Sequence, residues 1–179
     1  MSKIYFVRHG QSHWNVANKI CGATDIDLTD MGHEQAYETG RKLEERGIRV
    51  DVILCSPLLR AKHTAEHIGE VLGMSVKVDE RLIEQNFGKF EGAPRNSVEF
   101  QTMKRRFTYD FDGGESMMRV ASRIYNLLDE IRERNDGLNY LLVAHNGIAR
   151  VVNSYFHNME NEEYSAFGID NCDVLEYNI

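Results

Sequence analysis

Two periods divide the chain. Apolar runs of about 4–8 residues rich in β-formers read as buried strands, and longer stretches with apolar residues three and four apart read as helices. Three segments share one order: an apolar run, a basic residue or turn, then a helical pattern. The first runs through residues 4–7, "IYFV", and ends at Arg8, His9 and Gly10. Ser12 is placed there to cap a helix carrying Trp14, Val16 and Ala17. In the second, Val52–Cys55 precedes Ser56 as N-cap, Pro57 at the first helical position and Gly73 as the stop, so that Arg60 falls in the first turn. The third has Tyr140–Ala144 as a buried strand, His145 at its carboxyl end, and a helix from about Gly147.

Further helices follow from capping and stripe. Thr29 is an N-cap for a helix with Ala36, Gly40 and Leu43 along one face and Gly47 as terminator. Another starts at Ser116 and repeats Val120, Ile124, Leu127, Leu128 and Ile131 at helical spacing, with Arg132 and Arg134 at its negative end. "MSVKV" and "CDVLEYN" add strands, the second alternating enough to lie at an edge. Strands alternating with helices predict an α/β protein, a three-layer α/β/α sandwich with a mostly parallel central sheet. Such sheets gather ligands at the carboxyl ends of their strands, where the three basic turns would meet.

Composition narrows the class. The 179 residues fit a single domain, residues 1–179, with 42% apolar and 27% charged residues and no repeat or low-complexity tract. A formal net charge of −7 gives no general attraction to nucleic acid or to an anionic membrane, so an anionic ligand needs a local basic pocket. The cysteines, Cys21, Cys55 and Cys172, are odd in number and lack CxxC spacing, which predicts reduced thiols. No apolar run approaches the length of a membrane span or of a signal sequence, and a cytoplasmic protein is expected. A homodimer is compatible with the sequence.

Two imidazoles, His9 and His145, and two guanidiniums, Arg8 and Arg60, would form a compact anion cradle at the strand ends. Arginine's planar fork matches phosphoryl oxygens, and helix N-termini add backbone N–H donors. A neutral imidazole can attack phosphorus to give a phosphohistidine, and neighbouring positive charge keeps it neutral. His9 is therefore a candidate nucleophile, and neither metal nor other cofactor is expected. A leaving alkoxide needs a proton. Asp79, Glu80, Glu84 and Glu91 all lie in one segment, and spacing does not choose among them. His63 and His67 are one turn apart but lack an evident third metal ligand, and His13 and His33 are expected to be exposed.

Six blocks, "RHGQSHWN", "DIDLTDMGHEQA", "SPLLRAKHTAE", "RLIEQNFGKFEG", "DGGES" and "VAHNGIAR", run in order over nearly the whole chain. Together they resemble the histidine phosphatase, or phosphoglycerate mutase-like, superfamily. That resemblance implies the phosphoglycerate mutase-like fold, His9 as nucleophile, and Arg8, Arg60 and His145 as the phosphate pocket, with Asn15 as an added donor. It implies Glu84 as the proton donor that later activates water, and Cys21 and Gly22 as parts of a substrate-facing loop. Two positions depart from the pattern: Phe90 stands where tryptophan is frequent, and Asn146 where glycine is common. Asn146 is then placed either to take an unusual backbone conformation or to reach the phosphate, and it is counted with the substrate-binding residues.

Residues 93–114 read as a lid, aromatic and carrying Lys104, Arg105 and Arg106 in a row. A helix spreads consecutive residues around its axis, and Arg105 is taken as the one facing the substrate. The lid is too short to hold the larger insertions that the resemblance associates with cofactor-dependent mutases. The expectation is a phosphomonoesterase acting on a small phosphorylated metabolite: a sugar phosphate, a phospho-acid, or a nucleoside-like phosphate such as α-ribazole phosphate. A phosphoglycerate mutase and a non-catalytic phospho-ligand or protein-binding module are the alternatives.

Overall fold

A computed structural model describes residues 2–179. Its centre is a five-stranded sheet in the order β3-β2-β4-β1-β5, formed by β1 (Lys3–Arg8), β2 (Val52–Cys55), β3 (Val76–Val78), β4 (Tyr140–Ala144) and β5 (Val174–Asn178). The first four strands are parallel, and β5 pairs antiparallel with β1 at the edge. The alternation read in "CDVLEYN" matches that half-exposed position, because only one face of an edge strand is packed.

Alternate residues of each strand feed opposite faces. Ile4 and Phe6 of β1 and Leu142 of β4 join α5 (Met117–Arg134) and α6 (Asn146–Phe156) in one core. Tyr5, Val7, Ile53, Cys55, Leu141 and Val143 form the other, against α2 (Asp30–Glu45) and α3 (Leu59–Leu72). The α5 stripe predicted from Val120 to Ile131 is buried throughout. A third, smaller apolar cluster of Ile20, Phe87, Phe90, Phe100 and Phe111 lies beneath the 93–114 segment, whose helix α4 spans Val98–Met103.

Local start and stop signals held where the chain had room to obey them. Thr29 and Ser116 accept hydrogen bonds from Gly32 and Arg119 N–H, and Gly73 ends α3 in the left-handed conformation with φ 67°. Two differ. The helix after Ser12 is a single turn, α1 (His13–Val16), with Val16 66% exposed, because the chain turns at Asn18 in the left-handed region. Ser56 does not cap α3: Leu58 occupies that position, and the Ser56 hydroxyl is drawn inward to His145. A short helix, α7 (Asn161–Ala166), precedes β5. No helix among the described residues is long and apolar enough to cross a membrane.

Candidate active site

Strand register assembles the site. Arg8 pairs with Ala144 across the parallel β1–β4 ladder, so the next residues, His9 and His145, leave the sheet side by side. His9 N–H donates to the Ala144 carbonyl at 2.9 Å, and the two rings lie with centroids 5.2 Å apart. On the other side of β4, Ser56 N–H donates to Val143 O, which puts the Ser56 hydroxyl 2.7 Å from His145 Nε2. The sheet thus fixes both imidazoles before any loop contributes.

His9 is 5% exposed, and its Nδ1 lies 2.7 Å from the Gly10 carbonyl. A carbonyl only accepts, so Nδ1 carries the hydrogen and Nε2 holds a free lone pair. Burial, then the Arg60 and Arg8 guanidiniums, hold the His9 imidazolium well below its ordinary pKa. Burial, Arg60 and His9 do the same to His145. A neutral, oriented imidazole is the form that attacks phosphorus. Asn171 Nδ2 donates to the His9 carbonyl at 2.8 Å and fixes the backbone from the opposite side.

Arg60 is fully buried, and its terminal nitrogens donate to the carbonyls of Thr24 at 3.0 Å and Gly22 at 2.7 Å. The loop presenting those carbonyls is held by one carboxylate. Glu91 accepts from the N–H groups of Gly22, Ala23, Thr24 and Phe87 and from the Thr24 hydroxyl. Arg8 donates to the Ile169 carbonyl. Nε of Arg8, Nε of Arg60 and Nδ1 of His145 are buried with no protein partner, although buried donors in proteins are nearly always paired. Three unsatisfied nitrogens around one imidazole are what an anion cradle needs.

A cavity of about 140 Å³ opens beside His9, and Arg8, Asn15, Cys21, Glu84 and Asn146 share its wall. Arg60 and His145 sit behind this wall, fully buried. Asn15 Oδ1 accepts from Ser12 N–H at 3.0 Å in the cap of α1 and from Asn171 Nδ2, which leaves the Asn15 NH2 to donate elsewhere. Glu84 is 5% exposed; its Oε1 accepts from Gln85 N–H and its Oε2 from Gly147 N–H, both at 2.9 Å. Position 147 must be glycine for this, because a Cβ there would stand 2.4 Å from Glu84 Oε1.

Tertiary structure also decides among the four carboxyls. Asp79 pairs with Arg81, Glu80 is exposed, and Glu91 is spent on the 22–24 loop, so Glu84 alone faces the cavity. Burial pushes the Cys21 thiol up to about 11, which makes it a wall residue rather than a nucleophile. Gly22 serves through its carbonyl and lines no part of the cavity. Asn146 has ordinary helical geometry at the start of α6, and its Oδ1 accepts from Ile169 N–H at 3.0 Å.

Arg105 stands apart from this group. It is exposed and borders a separate groove with Phe107 and Asn161. Helix α4 ends at Met103, and Lys104 is the residue of the triplet that enters the cavity. Arg95 and Arg150 join it there. Burial lowers the Lys104 ammonium to about 8, followed in effect by the Arg150 charge, and burial also lowers Arg150. Arg150, 4% exposed and with Nε unpaired, carried a sequence signal: a charged residue in an otherwise apolar helix, "IARVV". Arg95 carried none, because its segment has no regular period.

His33 also departs from expectation. It is half-buried and meets His67 and His63 between α2 and α3, and none of the three lines the cavity.

The family model for the histidine phosphatase superfamily, branch 1, matches residues 4–179. A 2,3-bisphosphoglycerate-dependent phosphoglycerate mutase of Chelativorans sp. (strain BNC1) is 34% identical over 172 residues, covering 89% of this chain and 84% of that one. A similar enzyme of Mesorhizobium japonicum is 35% identical over 161 residues, covering 83% and 78%. Among solved structures, a mycobacterial glucosyl-3-phosphoglycerate phosphatase superposes with a TM-score of 0.85 at 27% identity, covering 98% of this chain and 89% of that one. The α-ribazole phosphatase of Shigella flexneri shares the fold, with a TM-score of 0.83 at 23% identity, covering 99% and 90%. These matches establish that the chain belongs to the histidine phosphatase superfamily and is an enzyme of that kind.

Proposed function

We propose that the protein hydrolyses phosphomonoesters of small metabolites that carry a second anionic group, through a phosphohistidine at His9 Nε2. The observation that carries this reading is the hydrogen bond from Nδ1 to the Gly10 carbonyl, which aims a bare Nε2 beside Glu84 in a cationic cavity. In the first half-reaction the Nε2 lone pair attacks phosphorus and the ester P–O bond breaks. Glu84, as the acid, gives its proton to the leaving alkoxide. Arg8, Arg60, His145 and Asn15 hold the equatorial oxygens. In the second, water attacks the phosphohistidine, Glu84 takes its proton, the P–N bond breaks and inorganic phosphate leaves.

Arg95, Lys104 and Arg150 lie beyond the reacting centre and suit a carboxylate or second phosphate on the rest of the substrate. Phosphoglycerates and glucosyl-3-phosphoglycerate, named for the relatives above, carry such a group. A mutase reading rests on the names of the relatives at 34–35% identity. The brevity of the 93–114 lid favours release of the phosphoryl group to water.

Mixing enzyme with labelled substrate and quenching in base should trap an acid-labile phosphoenzyme in the wild type and none in His9→Ala. Turnover of the variant should fall by about 10⁴-fold or more. Equal turnover in both proteins would remove His9 from the mechanism. Conversion of 3- to 2-phosphoglycerate faster than phosphate release would make the enzyme a mutase.

A further inference from the structure

We propose that Asp27, His33 and His63 form a binding site for a borderline transition-metal dication such as Zn²⁺, outside the substrate cavity, where the loop before α2 meets α2 and α3. Each of the three offers one ligand atom, and these atoms lie within 4.8 Å of one another. Asp27 and His33 are six residues apart at the entry to α2, and His63 comes from α3, so the third ligand is not announced by linear spacing.

The donor set has the right chemistry. Imidazole nitrogen suits Zn²⁺, Cu²⁺ and Ni²⁺, whereas Mg²⁺ and Ca²⁺ require mostly oxygen ligands. A tetrahedral Zn²⁺ at 2.0–2.1 Å from each ligand needs its ligand atoms roughly 3.3 Å apart. His63 Nδ1 and Asp27 Oδ1 are 2.7 Å apart, so the pair would open by about half an ångström and His33 would close in. Both side chains have the room, since His63 is 30% and Asp27 38% exposed, and that exposure also gives an ion access from solvent.

Outer partners are already in place. His33 Nδ1 lies 2.7 Å from His67 Nε2, and the Tyr37 ring stacks on His67 with centroids 4.2 Å apart. An imidazole has two ring nitrogens, so His33 can serve the metal through one and hydrogen-bond His67 through the other, and such an outer bond orients a ligating histidine. Asp27 Oδ1 is likewise held by Leu28 N–H at 2.7 Å.

A bound ion would join the 22–28 loop to both helices on this face. The same loop orients Arg60 through the Gly22 and Thr24 carbonyls, and Asp25 accepts from Leu59 N–H at the start of α3. Metal binding would therefore stabilise the fold at a point that supports the cradle without entering it.

Titration of the full chain with ZnCl2 against a chromophoric chelator at neutral pH, with unfolding temperature read in parallel, tests the site. One Zn²⁺ per chain is expected in the wild type and equally in His9→Ala, with a rise in unfolding temperature that equimolar Mg²⁺ does not reproduce. Affinity should fall more than about 100-fold in His63→Ala and in Asp27→Asn, and about tenfold in His67→Phe, which touches only an outer partner. Circular dichroism checks that each variant folds, and Asp27→Asn, at a half-exposed loop position that keeps a hydrogen bond to His63, tests the site if a histidine variant does not. Unchanged affinity in both His63→Ala and Asp27→Asn, loss of binding in His9→Ala, or an equal effect of Mg²⁺ would each overturn the proposal.

Discussion

The cradle and the wall contributed by residues 93–114 face one cavity but are built by different rules. His9, Arg60 and His145 are at most 5% exposed, and each is fixed by backbone carbonyls, strand register or a buried hydroxyl. Arg95 and Lys104 stand on an irregular segment, partly exposed, held by single longer bonds to the Lys19 and Ser165 carbonyls at 3.3 and 3.5 Å. The contrast matches two tasks. Charge developing on a transferring phosphoryl group repays donors that do not move, whereas reading the remainder of a metabolite tolerates a surface that varies.

Removing a cradle cation breaks that contrast hardest. Arg60→Ala should lower kcat/KM by about 10³-fold for every phosphomonoester alike, because the lost donors act on the shared phosphoryl group. Comparing an aryl with an alkyl ester on a variant that stays folded by circular dichroism checks this.

Next comes the proton. Glu84→Gln should cost about 10²-fold on an alkyl phosphate and only a few-fold on an aryl phosphate whose leaving group needs no protonation. A Brønsted plot across leaving groups would expose the difference; equal losses would assign Glu84 to positioning through Gly147 rather than to proton transfer.

The wall from residues 93–114 should act on binding alone. Lys104→Met should raise KM about tenfold for substrates with a second anionic group, leaving kcat and the KM of a simple aryl phosphate unchanged. Since burial lowers Lys104 to about 8, its charge is lost as pH rises through that value. KM for the doubly anionic substrate should therefore climb above about pH 8, and the climb should vanish in Lys104→Met.

Stability should report the same two imidazoles, with the chemistry left aside. Burial holds His9 and His145 neutral in the folded state, with pKa values well below the unfolded value of 6.5. As pH falls below 6.5 the unfolded chain takes up protons that the folded chain excludes, so stability falls by up to about 1.4 kcal/mol per pH unit for each imidazole. Denaturant melts between pH 7 and 5 should show the slope, and His9→Ala should show about half of it.

Where local pattern and tertiary packing agreed, the chain was legible. The strands at Val52–Cys55 and Tyr140–Ala144 and the α5 stripe follow from apolar spacing, and parallel strands carry basic turns to one edge whatever the loops do. Ser56 shows where local rules failed. A serine before proline is a good N-cap by sequence, yet a buried imidazole next door offered its hydroxyl a partner that solvent-exposed capping could not match. Arg105 failed for a simpler reason: which of three consecutive cations faces inward depends on where α4 ends, and no residue marks that end.

By itself, then, the sequence determined the layered fold, the pairing of two histidines at strand ends and the arginines beside them, because these depend on short-range periodicity and on the fixed geometry of parallel strands. Only the tertiary structure decided that Glu84 and not its three neighbours faces the cavity, that Lys104, Arg95 and Arg150 supply its outer charge, and that Asp27, His33 and His63 meet. Apart from Asp27 and His33, which are six residues apart, those are encounters between segments distant along the chain. Irregular loops carry no period from which their direction could be read, and packing settles it.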